Sequence, residues 1–400
     1  MARKRTTRPR WAGCLAAVAT VVALSATAEP AHAAPEGTIL GAGAPGAVRG
    51  SYIVTLKAGT GAGSAAGEGI AERYGARIGH IYGTALNGYA VRADARQARR
   101  LAADSRVASV VQDSRVSLDA TWKNPPSWGL DRIDQARLPL DGSYSSPGPE
   151  GAGVTAYVID TGIRISHKDF GGRASYGWDF VDNDATAADG NGHGTHVAGT
   201  LAGTAYGVAK RAKVVAVRVL DDHGSGTTAQ VIAGIDWVTR HARKPAVANL
   251  SLGGRANAEL DAAVRASIAS GVTYVVAAGN DGLPAARYSP ARVAEAVTVG
   301  AVDRTDSRAA FSNWGPAVDL FAPGVGITSD SNASDTGHAT LSGTSMATPH
   351  VTGAAALYMA RHPRARPAEV SRALVGRASS VELTAAGSTS PGKLLRVDRP

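Results

Sequence analysis

The 400-residue chain holds one cysteine, Cys14, so no disulfide can form within it. Cys14 precedes the apolar run of residues 15–28, so it does not sit where a lipidated cysteine would. The run itself spans about 14 residues, short of the roughly 17–20 that cross a bilayer. No twin-arginine pair is present, because Pro9 separates Arg8 from Arg10. No internal repeat and no added C-terminal domain can be found. No Lys/Arg stripe interleaved with aromatics occurs either, which argues against nucleic acid as a partner.

The net charge of +9 is unevenly placed. Residues 1–33 carry about +4 and residues 34–120 about +3, leaving about +2 for residues 121–400. Much of the basic character therefore lies in the N-terminal third. Arg3, Lys4, Arg5, Arg8 and Arg10 form a charged region, the apolar run follows, and Ala31-His32-Ala33 fits a signal-peptidase site. Residues 1–33 are expected to be a signal peptide, with Cys14 leaving in it. The exported chain then has no thiol. Its stability must come from a large core, with bound metal ions as an aid. About 280 residues past position 120 suffice to bury roughly three-quarters of the unfolded surface.

Residues 34–50 are rich in Ala, Gly and Pro and read as a linker. Strands are expected over 51–56, 85–92 and 107–112, with helices over 70–74 and 95–103. Beyond Trp128 the pattern changes. Residues 154–159, 214–219, 246–252, 272–278 and 296–302 are short β-branched runs without alternation, as suits strands buried on both faces. Helical stretches over 194–203, 228–242, 256–269 and 345–361 lie between them. The expectation is an α/β fold with a doubly wound, mostly parallel sheet, preceded by a small α+β unit. In such sheets ligands bind beyond the carboxyl ends of the strands.

Three Gly-rich motifs supply an Asp, a His and a Ser in that order: Asp160-Thr161-Gly162, Gly192-His193-Gly194-Thr195-His196 and Gly343-Thr344-Ser345-Met346-Ala347. Asn280 follows Ala277-Ala278-Gly279. Acyl transfer to a serine needs this set: nucleophile, base, orienter of the base and oxyanion donor. On these motifs the chain resembles the subtilisin-like serine proteases, and the proteinase K group in particular. Asp-His-Ser is also the chain order given for subtilisin in general accounts of the triad. An α/β-hydrolase is disfavoured, because Ser345 lies in G-T-S-M-A rather than G-x-S-x-G and both partners precede it. His196 lacks the Glu of H-E-x-x-H and reads as a buried, hydrogen-bonded histidine rather than a zinc ligand.

The resemblance implies the rest. Asp160, His193, Ser345 and Asn280 would be catalytic. Ser251, Leu252, Gly253 and Gly254 would form one wall of the substrate pocket and Ala277, Ala278 and Gly279 the other. Gly224-Ser225-Gly226 would be a second edge, so that an extended peptide is held by β-augmentation. The walls contain no acid, which suggests broad apolar preference before the cut. Residues 34–120 resemble the inhibitory prosegment of subtilases, with a ferredoxin-like βαββαβ order, and residues 121–400 the catalytic domain. The cut is expected near Ala120–Thr121. Structural Ca²⁺ is implied at Asp319 with the carbonyls near Ala294 and Ala296, and in a loop with Asp131, Asp134 and Gln135; Asp182, Asp184 and Asp189 offer a third set. The whole reads as a secreted, monomeric endopeptidase acting on proteins and peptides, without stable membrane association.

Overall fold

The structure is a computed structural model that describes residues 35–44, 47–117, 121–122, 127–146, 148–381 and 389–397. The proposed signal segment and its single cysteine lie outside the described residues, as do residues 118–120. Contacts divide the chain into two units, residues 1–35 and residues 36–400. The second contains every element discussed below.

Among the described residues nine strands form the central sheet, in the order Ser379–Ser380, Lys393–Leu394, Leu320–Pro323, Val297–Val302, Thr273–Ala277, Ala246–Leu250, Thr155–Asp160, Lys213–Arg218 and Ala174–Asp179. All neighbours are parallel except the first pair. Strand residues alternate between two cores, as the two-residue period requires. Val158, Val247 and Val275 join one cluster with the helices His193–Ala202 and Thr344–Arg361. Tyr157, Ala246, Ala248 and Tyr274 join the other with the helices Thr228–His241 and Ala258–Ala269. Burial on both faces is why these strands show no polar alternation in sequence.

Within residues 36–400, the segment 47–117 follows the order strand, helix, strand, strand, helix, strand: Ala47–Leu56, Ala65–Arg73, Arg77–Tyr82, Gly88–Arg92, Ala95–Ala102 and Val107–Ser117. Tyr52, Val54 and Leu56 pack beneath its own helices, with Ile70 and Leu101. Their neighbour Ile53 points the other way and joins the second core of the central sheet with Tyr82 and Ala90. The linker reading of 34–50 needs correction. Leu40 exchanges backbone hydrogen bonds with the strand Val107–Ser117, and the strand Ala47–Leu56 begins inside the stretch. Small residues conceal this, because backbone pairing needs no apolar side chain.

Polar contacts hold this segment onto the two helices of the second face. Asp236 accepts Thr84 N–H at 2.8 Å and Ala85 N–H at 2.7 Å. Tyr82 donates its hydroxyl to the Ala229 carbonyl at 3.0 Å, and Ser109 donates to Glu259 at 2.8 Å. Asp113 accepts Ala229 N–H at 3.1 Å, in the first turn of Thr228–His241. That places a carboxylate at the positive end of the helix dipole. Burial raises the Asp113 and Glu259 carboxyls above their ordinary range.

Candidate active site

Asp160 ends its strand at the carboxyl edge of the sheet, fully buried. His193 opens the helix His193–Ala202, and its Nδ1 lies 2.8 Å from Asp160 Oδ1. A carboxylate oxygen only accepts, so this contact puts the ring proton on Nδ1 and leaves Nε2 as a base. His193 Nε2 is buried and has no hydrogen-bond partner among the described residues.

Asp189 builds the turn that delivers His193. Its Oδ1 accepts Asn191 N–H, Gly192 N–H and the Thr161 hydroxyl, and its Oδ2 accepts the Thr195 N–H and hydroxyl. The Thr161 hydroxyl in turn accepts Gly194 N–H at 2.9 Å. One half-buried carboxylate thus supplies partners for amides that the helix start leaves open, and desolvation raises its pKa. The carboxylates of the third candidate metal set have protein partners. Asp189 is committed to the turn, Asp182 pairs with Arg218 at 2.7 Å, and Asp184 accepts Thr186 N–H.

Ser345 lies in the first turn of the helix Thr344–Arg361, where backbone N–H groups lack partners within the helix. Pro349 lies four residues on and has no N–H, so it cannot bond the Ser345 carbonyl. Ser251 takes that place, donating its hydroxyl to Ser345 O at 2.8 Å. The Ser345 hydroxyl donates back to Ser251 O at 3.0 Å. Asn280 Oδ1 accepts the Thr344 N–H at 2.8 Å and the Thr344 hydroxyl at 2.9 Å. Its acceptor end is therefore anchored, and the NH₂ end is the donor. Gly279 before it has φ +100°, a conformation that side chains rarely adopt, and a Cβ there would strike Asn313. Asn313 is fully buried and braces the turn, donating to Ala278 O at 2.8 Å and accepting Leu283 N–H at 2.9 Å. Neither Asn313 nor Asp189 was assigned to the site from the motifs. Asp189, three residues before Gly192, carried some positional signal; Asn313 is distant in sequence and carried none.

A pocket of about 300 Å³ opens beside Ser345. Leu252, Gly253 and Gly254 line one side and Ala277, Ala278, Gly279 and Asn280 the other. Ser251 supports this wall through the helix that Ser345 opens. Gly224 lies apart from the pocket, in the turn before the strand Ser225–Thr227. That strand pairs antiparallel with the end of Val107–Ser117, placing Val116 opposite Gly226 and Ser117 opposite Ser225. The chain resumes at Thr121–Trp122, which pairs with Ser342 and Leu341, just before Ser345.

His196 is buried, with Nε2 3.0 Å from the Ile327 carbonyl. Burial lowers its pKa to about 3, so it stays neutral. Asp319 accepts Thr298 N–H at 2.8 Å, and burial raises its carboxyl to about 6. Asp131 accepts Gly142 N–H at 2.8 Å, Asp134 accepts Ser145 N–H at 2.7 Å, and Gln135 Oε1 accepts Asp141 N–H at 3.2 Å. This loop thus closes through its own hydrogen bonds. Among the described residues no three His, Cys, Asp or Glu side chains gather as a metal cluster.

A doubly wound sheet with a buried Asp–His pair, and a serine at a helix start beside a pocket, defines a serine hydrolase of α/β architecture. Residues 151–393 match the Subtilase family and residues 51–119 match Peptidase inhibitor I9. The chain belongs to the subtilase family and is a serine proteinase with an inhibitor-type prosegment. It is 49% identical to an extracellular serine proteinase of Thermus sp. (strain Rt41A), over 92% of this chain and 94% of that one. It is 50% identical to alkaline serine exoprotease A of Vibrio alginolyticus, over 78% of this chain and 59% of that one. A crystal structure of a cold-adapted subtilisin-like serine proteinase, 54% identical, superposes with a TM-score of 0.66 and covers 68% of this chain and 98% of its own. No helix among the described residues is long and apolar enough to cross a membrane.

Proposed function

We propose that this is a secreted endopeptidase that cleaves peptide bonds through an acyl-enzyme on Ser345. The observation that carries the mechanism is the buried Asp160–His193 contact of 2.8 Å, which leaves Nε2 without a partner. The Ser345 hydroxyl turns from the Ser251 carbonyl toward His193 Nε2 and attacks the substrate carbonyl. Nε2 takes its proton, and Asp160 stabilises the imidazolium. The Asn280 amide and the Ser345 N–H receive the oxyanion. His193 then protonates the leaving amine, and water attacks the ester by the same route in reverse.

Residues 1–33 act as the signal peptide, 34–120 as the prosegment and 121–400 as the catalytic domain. The pairing of Val116 and Ser117 with the edge Ser225–Thr227 supports a substrate-like approach of the prosegment tail. Ser345 then cuts its own chain near Ala120–Thr121. Small apolar walls support broad preference for apolar side chains before the cut. Ca²⁺ at Asp319 fits the chemistry of a half-buried carboxylate with one backbone donor, and a hard cation would offset its desolvation. The loop with Asp131, Asp134 and Gln135 offers oxygen ligands that now serve as hydrogen-bond acceptors.

A serine-directed phosphonylating reagent tests the mechanism. It should label Ser345 and stop hydrolysis, and Ser345→Ala should leave the precursor as one polypeptide after signal removal. Labelling elsewhere, or turnover by Ser345→Ala, overturns it.

A further inference from the structure

The pocket beside Ser345 is not apolar throughout. Leu252, Ala277, Ala278 and Ala291 are buried in it, but Arg255 and Asp281 also line it and both are exposed. Gly254 and Arg255 pair antiparallel with Ser289 and Tyr288. Directly opposed residues on such a pair project to one face. Arg255 and Tyr288 therefore share one side of the pocket mouth.

The two charges differ in what holds them. Asp281 accepts a hydrogen bond from the Tyr288 hydroxyl; burial, together with this carboxylate, raises Tyr288 to about 12. Arg255 forms no ion pair and donates no hydrogen bond among the described residues. An uncommitted guanidinium presents its donors in a fork that matches a carboxylate bidentately. Asp281, exposed and already accepting the phenol proton, offers a lysine ammonium less than Arg255 offers a glutamate.

Resting on the endopeptidase reading above, we propose that Arg255 adds to the broad apolar preference a discrimination in favour of a carboxylate, over its neutral isostere, in the substrate side chain just before the scissile bond. The apolar walls take the aliphatic stem of a glutamate, and the guanidinium at the mouth takes its carboxylate. A glutamate is favoured over glutamine of the same shape, and a lysine is disfavoured.

The test uses mature enzyme near pH 8 and peptides that differ only in the residue before the cut: Phe, Glu, Gln or Lys. Ratios of kcat/KM within each enzyme cancel general effects of a substitution. The Glu/Gln ratio should fall about two- to fivefold in Arg255→Gln, the span of an exposed ion pair. The Lys/Gln ratio should rise by a similar factor in Arg255→Glu. In the wild-type enzyme the Glu/Gln ratio should fall as salt is raised, because screening weakens an exposed pair; this arm needs no variant. Ratios that are equal in all three enzymes and flat with salt overturn the role of Arg255. Failure of the underlying reading is separate: the Phe peptide would resist the wild-type enzyme, or be cut by Ser345→Ala.

Discussion

Replacing Asp330 with asparagine should change how stability depends on pH. Asp330 ends the strand Ile327–Asp330, which packs against the His193 helix, and it is fully buried. Neither carboxyl oxygen finds a conventional donor. His167 Nδ1 lies 3.6 Å from Oδ1 and faces the Asp169 N–H at 3.3 Å, and its Nε2 is 2.9 Å from the Gly337 carbonyl. The Asp169 carboxyl faces it from the same segment as His167. Arg173 and Tyr206 are the other titratable groups within its field. A Cβ added at Gly199 would come 2.7 Å from Oδ2, so this side is closely packed. Burial first, and then Asp169, raise the Asp330 carboxyl to about 8. The native state thus holds a proton that the unfolded chain releases near pH 4. The stability this confers is fully present below pH 4 and is lost as pH rises through about 8.

The slope is at most about 1.4 kcal/mol per pH unit for one proton. From pH 5 to 8 that sets a ceiling of about 4 kcal/mol. Protein sites respond as though their dielectric were well above that of a dry interior, so we expect about 2 kcal/mol. For a chain of this size that is about 3 °C in thermal midpoint. Asparagine keeps the shape, can donate to Asp169, and carries no proton to lose. Midpoints should be measured from pH 5 to 9 on a Ser345→Ala background, which prevents self-digestion, with and without Asp330→Asn. The parent should lose ground to the asparagine variant as pH rises, and the gap should level off above about pH 8. Parallel curves would refute the claim that Asp330 is protonated in the native state.

Asn280→Ala should lower kcat by about 10²–10³-fold with a much smaller change in KM, measured on a short peptide ester. Asp236→Ala removes the acceptor of two prosegment amides; at about 2 kcal/mol, inhibition should weaken by roughly 30-fold, seen as a shorter lag before the secreted precursor becomes active. Chelation by EGTA should lower the thermal midpoint, and Asp319→Ala should shrink that drop; one site at a hundredfold excess over its Kd is worth about 2.7 kcal/mol. An unchanged midpoint would count against bound calcium.

Legibility in the sequence followed burial. The runs at 154–159, 214–219 and 296–302 fall within a residue or so of Thr155–Asp160, Lys213–Arg218 and Val297–Val302, because strands covered on both faces are apolar through most of their length, with polar residues chiefly at their ends. Ala174–Asp179 is the edge strand and reads ASYGWD, with its middle residues part-exposed; it has no apolar run to find. Arg77–Tyr82 alternates exposed and part-buried residues until Tyr82 and gave as weak a signal. In the site, the residues inside Gly-rich motifs could be read because the backbone must turn there. Asn313 could not, since it acts through a fold contact with residues 278–283. Arg255 follows the Ser251–Gly254 wall directly, yet only the pairing with Tyr288 turns it toward the pocket.

On the proposed reading, the strand Ser225–Thr227 would link inhibition to catalysis. It has three residues, and its open edge can pair with any extended chain. In the precursor that edge is occupied by Arg115–Ser117. A substrate held by β-augmentation would need the same backbone groups, so tail and substrate compete. The prosegment does not depend on this edge alone, because Asp236, Ala229 and Glu259 hold it on the far side of the sheet from the Ser345 helix. A cut after Ser117 would leave those contacts intact. The released segment would therefore persist as an inhibitor until its own fold is digested, and the loss of inhibition would follow the stability of its small core around Tyr52, Ile70 and Leu101 rather than the rate of the first cut.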